Sequence, residues 1–153
     1  MKKLAIIALL ATATMAASAT DIGLRVSRSG GHEPNNAGIT ATGVTLGTKL
    51  GAFGAELAYD RAMVGATSVS EYSLTGSYPV ATGYGTTFAA KVGGSFIDPT
   101  VGVNGYALTV GVGASLPITK QVSLVADYAY KIGQQRVTEY SGNTVSIGAK
   151  YSF

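Results

Sequence analysis

The only histidine, His32, stands in Ser29-Gly30-Gly31-His32-Glu33-Pro34. It is the one place where hydroxyl, imidazole and carboxylate fall close together. A hydroxyl nucleophile needs such a base, and an acid to orient it. Ser27, Ser29 and Glu33 supply the other groups, but the stretch is rich in Gly, Pro and Asn, and proximity in a loop does not hold a reacting geometry. We read His32 as a solvated loop residue and assign no catalytic residue. The chain has no Cys, which excludes thiol chemistry, disulfides and a lipid anchor on an N-terminal cysteine. No residue spacing suits a metal, and the Gly-x-Gly runs lie in strand-like segments rather than before a helix. No cofactor is expected.

The remaining chemistry-bearing residues are charges: Arg25, Glu56, Asp60, Lys91, Asp127, Lys131 and Lys150. Each falls in a segment of period-2 alternation, the pattern of a strand with two unlike faces. Phe53, Ala55, Leu57 and Tyr59 oppose Gly54, Glu56, Ala58 and Asp60. Val122, Leu124, Ala126, Tyr128 and Tyr130 oppose Ser123, Val125, Asp127, Ala129 and Lys131. Val145, Ile147, Ala149, Tyr151 and Phe153 oppose Ser146, Gly148, Lys150 and Ser152. Five further segments, near residues 22–27, 42–47, 72–78, 88–96 and 106–116, alternate with less contrast. The charges all sit on the small or polar row.

Eight strands follow. Short connections are expected near Leu50 to Ala52, Pro79 to Gly83 and Pro117 to Lys120. Longer ones are expected near Arg28 to Ala37, Ala62 to Val69, Ile97 to Gly105 and Ile132 to Asn143. Short and long connections alternating along a chain are the habit of transmembrane barrels. A membrane strand uses about 9–11 residues, so length accommodates eight and not sixteen.

Which row faces lipid is decided by composition. Charged residues make up 12% of the chain, against about 25% in a soluble domain. The non-apolar row is mostly Gly, Ala, Ser and Thr, which suits the crowded interior of an eight-stranded barrel. Eight of the nine Tyr fall near strand ends, where phenol rings favour a lipid–water interface. The charges then point inward, and four cations beside three anions predict an ion-pair network filling the lumen, without an open water channel.

The N-terminus reads as a secretory signal: Met1-Lys2-Lys3, an apolar run from Leu4, and Ala17-Ser18-Ala19 as the cleavage site. The expected division is a Sec-type signal peptide over 1–19 and a barrel over 20–153. Removing Lys2 and Lys3 lowers the net charge from +3 to +1, and no basic patch suggests nucleic acid.

The ending Thr144-Val145-Ser146-Ile147-Gly148-Ala149-Lys150-Tyr151-Ser152-Phe153 resembles the C-terminal assembly signal of bacterial outer-membrane barrels. Val145, Ile147, Tyr151 and Phe153 match its alternation and its two aromatics. More broadly, the mature chain is similar to the small OmpA-like, OmpX-like and opacity-type barrels, loosely the porin family, in strand count, length and final hairpin. The resemblance implies an all-β, eight-stranded, antiparallel, up-and-down transmembrane barrel in the bacterial outer membrane. It implies outer-membrane lipid as solvent, with periplasmic chaperones and the barrel-assembly machinery as partners in biogenesis. A monomer is expected, with surface partners reached through four external loops. A structural or surface-interaction role comes first, a narrow pore second and a lipid-modifying enzyme third. Fold-level likeness does not choose among them.

Overall fold

The computed structural model describes residues 20–30, 38–64, 67–133 and 141–153. The proposed signal segment 1–19, with Ala17 and Ala19, lies outside them, as do His32 and Glu33.

Eight strands follow one another: β1 (Asp21–Ser29), β2 (Ile39–Leu50), β3 (Phe53–Val64), β4 (Thr67–Gly83), β5 (Thr86–Pro99), β6 (Gly105–Pro117), β7 (Val122–Gly133) and β8 (Gly142–Ser152). Each pairs antiparallel with its sequence neighbours, and β1 pairs with β8, so the sheet closes into a barrel. Closure leaves no sheet edge around the ring, and every ladder has a partner. Past the last residue of β8, the Phe153 amide donates to the Thr20 carbonyl at 3.1 Å and continues the seam.

The cross-strand partners fix the stagger. From Tyr106 on β6 the register runs through Phe96, Tyr72, Tyr59, Val44, Leu24, Ala149 and Leu124, and returns to β6 at Leu116. The stagger is ten residues (116 − 106). With strand spacings near 4.8 Å and a rise near 3.3 Å per residue, eight strands staggered this far tilt by roughly 40° to the barrel axis.

Burial alternates as the two rows require. Ile22, Leu24 and Val26 are exposed while Asp21, Gly23, Arg25 and Ser27 turn inward. The same holds on β8, where Val145, Ile147 and Tyr151 are exposed. Leu24 is 67% and Ile147 64% exposed, whereas Asp60 is 4%. An apolar outside around a charged inside is the reverse of a soluble barrel. A small apolar cluster of Val69, Ile97 and Ala107 is also buried, near the strand ends that border residues 65–66 and 100–104.

Two connections differ from the sequence expectation. Pro79 to Gly83 is no turn: it belongs to β4, whose register shifts between Pro79 and Ala81. Proline has no N–H to give a ladder, and a bulge is where a strand tolerates it. The chain reverses instead at Tyr84-Gly85, both with positive φ (51° and 77°), the conformation of a tight hairpin turn and one that glycine adopts without strain. Ala62 to Val69 is also no long loop, because β3 runs to Val64 and β4 begins at Thr67. Its lone breaker, Gly65, is flanked by strand-forming Val64, Thr67 and Val69. The connection between β3 and β4 is thus as short as the turns at the opposite end.

Candidate functional site

The lumen gathers charge. Arg25 on β1 faces β3, where its Nε donates to Asp60 Oδ1 at 2.9 Å and its Nη2 to Asp60 Oδ2. This two-point fork is the strong geometry for guanidinium and carboxylate. Nη1 reaches Glu56 Oε1 at 3.4 Å. Lys150 on β8 pairs with Glu56 Oε2 and lies 3.5 Å from Asp21 Oδ1. Lys91 on β5 meets Asp127 on β7 at 2.7 Å, and Ser146 donates to the same carboxylate at 3.4 Å. Lys131 on β7 crosses to Glu71 on β4, with its Nζ 2.7 and 2.6 Å from the two oxygens.

The barrel's curvature sets who can meet. Lys150–Asp21 and Ser146–Asp127 join adjacent strands, whereas every other pair is two or three strands apart round the ring. A bond across the lumen must therefore pass over an intervening strand, and under the Arg25, Lys91 and Lys150 contacts the sequence places glycine at that crossing. Arg25, Gly43 and Asp60 share one register line, and a Cβ at Gly43 would collide with the Asp60 carboxylate and the Tyr59 carbonyl. Lys91 reaches Asp127 over Gly113, where an added Cβ would meet both side chains. Lys150 passes over Gly23 toward Glu56, and Asp21 lies over Gly47. The inward glycines are thus spacers that let charges meet in a barrel too narrow for a Cβ between them.

The seven charges singled out from sequence, Arg25, Glu56, Asp60, Lys91, Asp127, Lys131 and Lys150, all take part in these contacts. Asp21 and Glu71 join them, although the alternation visible in the sequence starts only at Ile22 on β1 and Tyr72 on β4 and does not reach them. The signal was present: both residues share parity with the inward row of their strand. With them the lumen holds four cations and five anions. A polar cavity of about 70 Å³ remains among Arg25, Glu56, Asp60, Glu71, Lys91 and Lys131, room for a few waters. Among the described residues no cluster of His, Cys, Asp and Glu could hold a metal.

Outside, aromatic side chains pair near both ends of the strands. Tyr59 and Tyr72 stand 5.1 Å apart, and Phe96 and Tyr106 5.3 Å, toward the loop end. Phe53 and Tyr78 at 5.1 Å, and Tyr151 and Phe153 at 5.5 Å, lie toward the other. Of the C-terminal residues, Val145, Ile147, Tyr151 and Phe153 all present exposed side chains on the outer face.

A closed eight-stranded barrel with ion pairs inside and an apolar outer belt has the fold of the small bacterial outer-membrane barrels. Solved structures agree. The N-terminal β-barrel domain of Pseudomonas aeruginosa OprF superposes with a TM-score of 0.65 at 13% identity, over 88% of this chain and 98% of that one. Neisserial surface protein A gives 0.63 at 17% identity, over 87% and 95%. Ail, the attachment invasion locus protein of Yersinia pestis, gives 0.60 at 14%, over 87% and 95%. No family model and no curated protein matches the sequence.

Proposed function

We propose that the protein is an integral outer-membrane barrel, exported by a signal peptide cleaved after Ala19, whose ion-paired lumen serves as a structural core. Its task is structural, or one of surface contact through the external loops, and it is not enzymatic. The observation that carries this reading is the inverted barrel: Arg25, Glu56, Asp60 and Lys150 inside, and Leu24, Leu74, Val110 and Ile147 outside. Exposed apolar surface of that extent is unfavourable in water and favourable in lipid. The C-terminal row Val145, Ile147, Tyr151 and Phe153 would address the chain to the assembly machinery. The test is extraction from cell membranes followed by gel mobility with and without boiling. A folded barrel that shifts on heating supports the reading, and a soluble protein with no shift contradicts it.

A narrow pore is the second reading, favoured by the polar cavity within the lumen. Reproducible single-channel conductance of the refolded protein would support it over the closed core.

A further inference from the structure

On the outer face, the upper ring of aromatics is interrupted. β4, β5 and β7 carry exposed or half-buried Tyr72, Phe96 and Tyr130 toward the loop end, whereas β1 and β3 carry exposed Arg28 and Arg61, with Thr40 and Thr42 of β2 between them. Arg28 pairs in register with Thr40, and Arg61 with Thr42. The two arginines therefore stand two strands and two residues apart, roughly 12 Å between backbones. The stagger of the barrel brings them level. Stepping from β3 to β1 along the register descends toward the turn end by roughly 6 Å, and the two-residue offset raises Arg28 by roughly 5 Å. Both guanidinium groups thus start at one height, that of Tyr72 and Tyr130 elsewhere on the ring.

Neither arginine has an ion-pair partner among the described residues. Arg28 lies against Gly38, its Nε 3.0 Å from the point a Cβ would occupy, so it leans along the wall toward the loop end. The apolar row continues directly below: Val26 on β1, Val44 on β2 and Tyr59 on β3. A charge facing lipid is tolerated where its head reaches the interface, and there it meets headgroup phosphates. Guanidinium forks match phosphate oxygens in two-point geometry, and threonine hydroxyls add donors.

We propose that Arg28 and Arg61, with Thr40 and Thr42, form a docking site for the phosphate of a lipid headgroup in the outer leaflet. The acyl chains lie down the apolar face of β1–β3. This rests on the outer-membrane reading above.

The test uses protein expressed from the full-length gene and extracted from membranes, with its heat-dependent gel shift recorded first. Absence from the membrane fraction would defeat the outer-membrane reading itself before any lipid is added. The protein is then placed in phosphatidylcholine nanodiscs containing bisphosphorylated lipid A or the same lipid with its phosphates removed. Retained lipid is counted by native mass spectrometry after detergent release. Wild type should keep the phosphorylated lipid preferentially, and millimolar inorganic phosphate should not displace it. The Arg28→Gln/Arg61→Gln variant should lose retention by roughly tenfold to thirtyfold, as expected for two interfacial arginines, and Lys120→Gln at the turn end should lose none. Equal retention of phosphorylated and dephosphorylated lipid by wild type would overturn the site even if the double variant failed to fold. So would a folded double variant with wild-type retention, and displacement by inorganic phosphate would refute a lipid-bound occupant.

Discussion

Arg25 and Asp60 meet across Gly43, and the three residues lie on one register line of β1, β2 and β3. The bond depends on what the middle strand lacks. A Cβ at Gly43 would press on the Asp60 carboxylate and on the Tyr59 carbonyl, and the backbone there cannot yield cheaply. We expect Gly43→Ala to cost about 1–3 kcal/mol, the range for overpacking a filled interior. Gly76→Ala is the control: it faces outward, and the added Cβ would come no closer than 3.7 Å to the Val92 carbonyl, so it should be nearly neutral. Urea unfolding in lipid vesicles measures both.

The pair itself should behave as a buried one. Arg25→Met leaves Asp60 without its fork and Glu56 with Lys150 as its remaining partner. A loss of about 3–5 kcal/mol is expected for an uncompensated buried charge. Arg25→Met with Asp60→Leu should recover most of that loss, since an apolar pair leaves only Glu56–Lys150 to be satisfied. A double-mutant cycle on vesicle-folded protein reads the coupling; additive losses would mean the two residues do not interact.

Much of this was legible in the alternation. The residues at 53–60, 121–131 and 145–153 show both the strands and their inward charges, because one face must be apolar and the other cannot be. Two kinds of information were hidden. The contrast fades toward strand ends, so the alternation does not extend to Asp21 and Glu71 although their parity fits the inward row. Pro79 reads as a turn, yet the closed ladder absorbs it at a bulge, and most of Ala62 to Val69 belongs to strands because β3 runs to Val64 and β4 begins at Thr67. The partners were also unreadable, since who meets whom depends on a stagger of ten residues that only the closed ring reveals. The glycines at 23, 43 and 113 marked the crossings, but a glycine alone does not say which side chains pass over it.

Lipid-facing positions should resist charge according to depth. Ile147 lies near the middle of the outer apolar belt, two residues from Val145 and Ala149 on the same face. Ile147→Arg is expected to destabilise by about 2–4 kcal/mol, whereas Thr40→Arg at the loop end should cost about 0–1 kcal/mol. Unfolding free energies in vesicles check the pair. Equal and negligible effects would fit a water-exposed surface.

Phe153 closes the seam with one backbone bond to Thr20 and stacks edge-on against Tyr151. Its loss removes little packing. We expect deletion of Phe153 to leave spontaneous refolding in vesicles nearly unchanged, and to lower the amount of heat-shifted barrel in cell membranes several-fold. Equal losses in both settings would make the residue structural rather than an assembly signal.

The inverted barrel is tested most directly by a single fluorophore, because the chain has no Trp. Leu74, 52% exposed, and Thr75, which lines the lumen cavity, are neighbours on β4 with opposite directions. Leu74→Trp and Thr75→Trp, each folded in vesicles with brominated acyl chains, should give opposite outcomes. Bromine should quench Trp at 74 strongly and Trp at 75 weakly. The reverse order, or no quenching at either site, would contradict a barrel with lipid outside and charge within.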